Sequence, residues 1–175
     1  MFKNIILRFS IKFILLYLLF YWGTNFYMGI TAPGNLYIPL LDKYLNIFDW
    51  YRYLLLYSAK GFTHMLGYPA VIPDKYHLKI IGGRRLQLVF SCLGTALLSI
   101  WFAFVLAYPI ASIQKKIKWI AIGFSIITLL NIIRIASLTI IANKVNLNFI
   151  DHHTYFNIAV YIAILIMIYF YTKEK

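Results

Sequence analysis

Cys92 is the only cysteine among 175 residues, and it stands where a strongly alternating segment stops and a long apolar segment begins. A lone cysteine excludes an intrachain disulfide. Its thiol is packing, an intermolecular link, or a nucleophile. Read as the first residues of a helix, the Cys92 region would have unpaired N–H groups and a helix dipole that favour a thiolate. Arg134 lies inside a later apolar segment, with Asn131 one turn before it and Thr128 another turn back. An arginine within a membrane span faces the protein interior or a wet cavity and is a functional candidate. Its guanidinium suits an oxyanion or a carboxylate, and the competing role is a structural partner for Asp151 or a snorkelling side chain. His152 and His153 open the last apolar segment. Either is a general base near neutral pH, or both are polar residues of an interfacial turn. Asp151 orients a histidine or caps that helix. One cysteine, four scattered histidines and five carboxylates form no standard metal-ligand spacing, so no metal and no cofactor are expected.

These groups need a scaffold that brings distant segments together, and composition says what kind. The chain is 62% hydrophobic and only 13% charged, with a mean hydropathy of +0.76. Several apolar runs approach or exceed the roughly 18 residues that cross a bilayer. The expected fold class is therefore an all-α polytopic membrane protein, one domain over residues 1–175. It has about four transmembrane helices, near 13–30, 92–110, 119–142 and 153–171. Residues 1–12 and 13–30 resemble the basic and apolar parts of a signal peptide, but no small-residue cleavage site follows, so they read as an uncleaved span. Residues 47–67 are aromatic and apolar but carry Asp49, Arg52 and Lys60. Each such charge costs roughly 2.5–3.5 kcal/mol at the bilayer centre, which favours an interfacial or re-entrant helix over a full span.

Residues 76–90 alternate in the period of a strand, with Gly82-Gly83 as the turn of an outward-facing β-hairpin. A three-residue loop, 82–84, pairs Ile80 with Leu86, Leu78 with Leu88 and Tyr76 with Phe90, which makes one face wholly apolar.

The net charge of +12 comes from 17 Lys and Arg against 5 Asp and Glu. Cytoplasmic loops and anionic headgroups account for it, and no nucleic-acid-binding motif is present. The basic loop Gln114–Lys118 and the basic N-terminus mark the cytoplasmic side. Residues 31–91 then lie outside, with seven basic residues of their own. On this topology Cys92, Arg134 and the histidine pair all fall in the outer third of the membrane. Arg134 is eight residues, about 12 Å, below the outer end of its span.

Ser91-Cys92-Leu93-Gly94 at the head of one span, Asn131-Ile-Ile-Arg134-Ile135 inside the next and His153 opening the last resemble the exosortase/archaeosortase family, in its short members. The resemblance covers roughly residues 70–170. It departs at Leu93, where a serine is often found, and in length, the sequence being much shorter than full-length members and without several of their N-terminal spans; Asn157 stands where the family often has a glycine. It implies a membrane cysteine protease or transpeptidase of the cell (inner) membrane, with its active site toward the outer face. The implied partner is the C-terminal sorting signal of exported proteins: a short PEP-CTERM-like motif, an apolar helix and a basic tail. Cys92 is then the nucleophile, Arg134 stabilises developing charge or binds the signal, and His153 is the base. His152, Asn131, Asp151, Ser91 and Gly94 are candidates for support. Two other readings remain open. One is a non-catalytic membrane scaffold or assembly factor with a packing cysteine. The other is a small anion transporter built on Arg134, against which no internal repeat stands out.

Overall fold

The structure is a computed structural model that describes residues 2–32, 34, 36–109, 111–144 and 152–174. Side chains are described for these except at 2–3, 143–144 and 152–157. Among the described residues, six helices and three strands follow one another: α1 (Phe2–Thr31), α2 (Pro39–Leu45), α3 (Ile47–Met65), β1 (Ala70–Asp74), β2 (His77–Ile80), β3 (Arg85–Gln87), α4 (Thr95–Ala107), α5 (Ile113–Lys144) and α6 (His152–Lys173). A 3-10 turn over Phe90–Leu93 separates β3 from α4. Among the described residues, two stretches, Asn4–Thr31 and Ile113–Ala142, are long and apolar enough to cross a membrane, and Thr95–Ala107 and Ile158–Lys173 are shorter apolar helices.

The chain clusters into two compact units. The first holds residues 1–45, 94–127 and 167–175. Here α1 packs along α4 through Phe9 with Phe104 (5.8 Å between ring centroids), Phe9 with Tyr108 (6.5 Å) and Phe20 with Phe102 (6.3 Å). Trp101 is fully buried, and its Nε1 donates to the Trp119 carbonyl at 2.9 Å. Tyr171 is buried beside it and donates to the Val105 carbonyl at 3.1 Å. Each aromatic polar tip thus finds a backbone acceptor, as burial requires. Gly123, one turn after Trp119, leaves the slot that the indole fills: a Cβ there would collide with Trp101 Nε1 and the ring carbons beside it. Gly123→Ala is therefore expected to cost at least about 1–3 kcal/mol by overpacking. A lowered Tm in detergent with reduced accumulation checks it; an unchanged Tm would contradict the packing described.

The second unit holds residues 46–93 and 128–166. Its core joins Leu55, Leu56 and Ala59 of α3, Leu78 and Ile80 of β2, Leu88, Leu93, and Ile135 and Ala136 of α5. Arg52, Leu55, Leu56, Ala59 and Thr63 are the buried residues of α3. Their spacing of three and four places them on one helical face. The opposite face exposes Trp50, Leu54 and Tyr57. Asn46 caps α3 by accepting the Asp49 N–H at 3.0 Å.

Strands β1, β2 and β3 form an antiparallel sheet in that order. The hairpin expected over 76–90 is present as β2 and β3, but its register is corrected. Leu78 pairs with Leu86, Lys79 with Arg85 and His77 with Gln87. The loop is three residues long, as expected, yet it is 81–83 rather than 82–84. The Gly83 N–H reaches the Ile80 carbonyl at 2.8 Å, and Gly82 takes φ 79. A β-turn with Gly at its third position accounts for the offset, since that position needs positive φ. β1 joins the sheet although the alternation reading begins only at residue 76. Its Pro73 and a register shift between Val71 and Asp74 break the strand pattern there. Between β1 and β2 the Asp74 carboxylate accepts the Tyr76 N–H at 2.8 Å and lies 2.8 Å from His77 Nδ1. These two bonds, the backbone one first, hold its carboxyl below the ordinary carboxylate range.

Within the span expected over 92–110, the helix occupies residues 95–107. α4 has 13 residues, about 20 Å of helix. Gly94 at φ 75 separates the 3-10 turn from its first residue, and extended Tyr108 ahead of Pro109 ends it. α1 and α5 run beyond the expected limits of 13–30 and 119–142, and α3 ends at Met65.

Candidate active site

Cys92 is half-buried in the turn over Phe90–Leu93, and its N–H donates to the Val89 carbonyl at 2.9 Å. The expectation that it sits at a helix N-terminus is therefore corrected. α4 starts at Thr95, beyond a left-handed Gly94, and a helix dipole acts only within about one turn of its end. What positions the cysteine is packing and one side chain. It lies against the core of the second unit, which includes Leu93 and Ile135. Asn131 of α5 is 2% exposed and donates from Nδ2 to the Cys92 carbonyl at 2.9 Å. The link joins residues 39 apart in sequence and fixes the cysteine-bearing turn against α5.

Arg134 is buried on α5, one turn beyond Asn131. With Thr128, Asn131, Ile135 and Thr139 it belongs to the inward face of that helix. Thr128 Oγ1 shares a 3.0 Å hydrogen bond with Tyr51 Oη of α3. The Asn131 Oδ1 atom is buried without a hydrogen-bond partner among the described residues.

Of the other candidates, Ser91 is exposed on the same turn, and Gly94 contributes its backbone as the cap of α4. His152 and His153 start α6, but their side chains lie outside the described residues, as does Asp151 entirely. The structure joins Asn131 to the Cys92 backbone and carries Arg134 one turn further along the same helix, within the same compact unit. Among the described residues no group of three His, Cys, Asp or Glu is placed to hold a metal ion.

Arg52 is a residue whose part the sequence reading missed. It is 1% exposed, pairs with Asp49, and stacks between Tyr76 (4.7 Å to the ring centroid) and Phe90 (4.6 Å). Phe90 begins the turn that carries Cys92. The signal was available: Arg52 shares a helical face with Leu55, Leu56 and Ala59, so it had to point inward.

The Asn131 contact predicts a specific defect. Asn131→Leu keeps the branched shape of the side chain but removes the donor to the Cys92 carbonyl. A freed turn misplaces the thiol, and a displacement of about 1 Å can cost on the order of 10²-fold in rate. Maleimide labelling of the single cysteine should change its rate as well, and equal labelling of wild type and variant would contradict this positioning.

The family model described as transmembrane exosortase matches residues 5–170 of the chain. No curated protein and no solved structure matches it at a significant level.

Proposed function

The chain belongs to the transmembrane exosortase family, a family of membrane proteins, and from that premise we propose that it is a cysteine transpeptidase or peptidase acting on C-terminal sorting signals. One observation carries the reading: Asn131 holds the Cys92 carbonyl at 2.9 Å, one turn from buried Arg134. In this reading the chain is one membrane domain of four spans in the inner membrane. α3 lies at the interface, and the sheet and Cys92 lie toward the outer face. The substrate's apolar C-terminal helix enters the bilayer and presents its motif at that face.

Cys92, as thiolate, attacks the scissile backbone carbonyl and forms a C–S bond. Arg134 takes the negative charge that develops on the carbonyl oxygen. His153, or His152 in its place, protonates the departing amine as the C–N bond breaks, which leaves a thioester on Cys92. Water or an amine then attacks the thioester, its proton passes to the histidine, and the thiolate returns.

The test compares the C-terminal peptides of membrane and surface proteins from cells with and without this chain. Apolar, basic-tailed C-termini retained only in its absence support the reading and name the substrate. Identical C-termini overturn it in favour of a scaffold. Arg134→Lys keeps the charge but not the planar donor fork. Loss of one oxyanion donor costs roughly 10²–10³-fold, so processing by this variant should fall by that much. A variant that processes at the wild-type rate would remove Arg134 from the mechanism.

A further inference from the structure

The two edges of the sheet differ. On β1 the backbone groups of Ala70 point away from β2. They are closed off: the Ala70 N–H donates to His64 Nε2 at 2.9 Å, and the Ala70 carbonyl lies 2.9 Å from the same nitrogen. Pro73 has no N–H, and the register shifts between Val71 and Asp74. These are the devices that blunt an edge strand. On β3 the Leu88 N–H donates to the Tyr76 carbonyl at 2.7 Å, which continues the Leu78–Leu86 register. Hydrogen-bonded pairs alternate in an antiparallel ladder. The N–H and C=O groups of Arg85 and Gln87 therefore point outward, along an edge that no described strand covers.

The charge on this part of the sheet is also unbalanced. Lys79 stands directly opposite Arg85, with Arg84 beside them. Like charges facing across strands are destabilising. The ion pairs among the described residues join Asp49 to Arg52 and Lys75, Asp74 to His77 and Glu174 to Lys118, and none involves these three cations. Carboxylates from outside the chain would relieve the repulsion.

We propose that the outer edge of β3 receives an extended, acidic segment of the substrate as a fourth strand. This rests on the transpeptidase reading and adds to it how the signal is held. The incoming backbone pairs with the N–H and C=O groups of Arg85 and Gln87, the mode by which sheet edges take peptides. Its acidic side chains meet Lys79, Arg84 and Arg85. The chain leaving β3 reaches Cys92 five residues after Gln87, so the added strand is led toward the thiol.

The test uses the full chain in membranes. Gln87→Pro removes one outward N–H and no ladder bond, and Arg85→Glu reverses the charge while leaving the backbone intact. Both should lower processing at least tenfold, with normal accumulation and normal maleimide labelling of Cys92. Changing the acidic residues of the signal to lysine should restore processing by Arg85→Glu. Wild-type processing by Gln87→Pro with normal labelling overturns the strand docking. If that variant does not accumulate, wild-type processing by Arg85→Glu overturns it instead. Cys92→Ala separates the two levels. If it blocks processing and the edge variants do not, only the docking falls. If it changes nothing, the transpeptidase reading falls as well.

Discussion

Cys92→Ala is expected to abolish C-terminal processing while the protein accumulates as well as wild type. Loss of the nucleophile from an enzyme that works through a covalent intermediate costs on the order of 10⁶-fold, and what remains comes from binding and oxyanion stabilisation. The structural cost is small by comparison. Cys92 is half-buried, and its sulfur packs at the margin of the core formed by Leu93, Ile135 and their neighbours. Removing it forfeits about the equivalent of one methylene, roughly 0.8 kcal/mol. The Asn131 bond survives because it is made to the Cys92 carbonyl, which every residue has. Activity and folding are therefore separable at this position. The measurement is the C-terminal peptide profile together with the amount of protein in the membrane. Equal profiles at equal amounts would make Cys92 a packing residue.

The sequence was informative wherever a pattern depends on parity or on apolar periodicity. In the hairpin, even-numbered residues pair with even-numbered ones in both the expected and the observed register. Leu78, Leu86 and Leu88 therefore share a face either way, and only the offset along the strand differed. That offset was set by the positive φ of Gly82, and two adjacent glycines do not reveal which of them will adopt it. β1 was hidden by Pro73, which reads as a breaker in sequence but is tolerated at an edge. Arg134 is buried, as a charged residue in an apolar helix must be. The surroundings of Cys92 were less legible. Gly94 looked like an ordinary residue of a helical run, and only its left-handed φ shows that the helix begins after it. The Asn131 bond could not be read at all, because it depends on how a turn at 92 meets a helix at 131.

Arg52 is the residue whose loss should most damage the fold around the site. Its guanidinium is taken out of water, paired with Asp49 and held between the faces of Tyr76 and Phe90. Asp49 itself is 14% exposed and keeps only a 3.4 Å contact to Lys75 if Arg52 is removed. Breaking one partner of a buried pair costs about 3–5 kcal/mol, much of it from the charge left behind. Arg52→Ala should therefore lower the Tm sharply and leave Cys92 open to maleimide, since Phe90 loses its stack and begins the cysteine turn. Arg52→Lys keeps the charge but not the planar stacking, and each aromatic contact is worth about 0.5–2 kcal/mol. It should fall between wild type and alanine. The informative variant is Asp49→Ala combined with Arg52→Ala, which removes the stranded charge. It should be less destabilised than the sum of its two single variants. Strict additivity would show that Arg52 works through stacking alone, with the Asp49 pair contributing nothing to holding the cysteine turn.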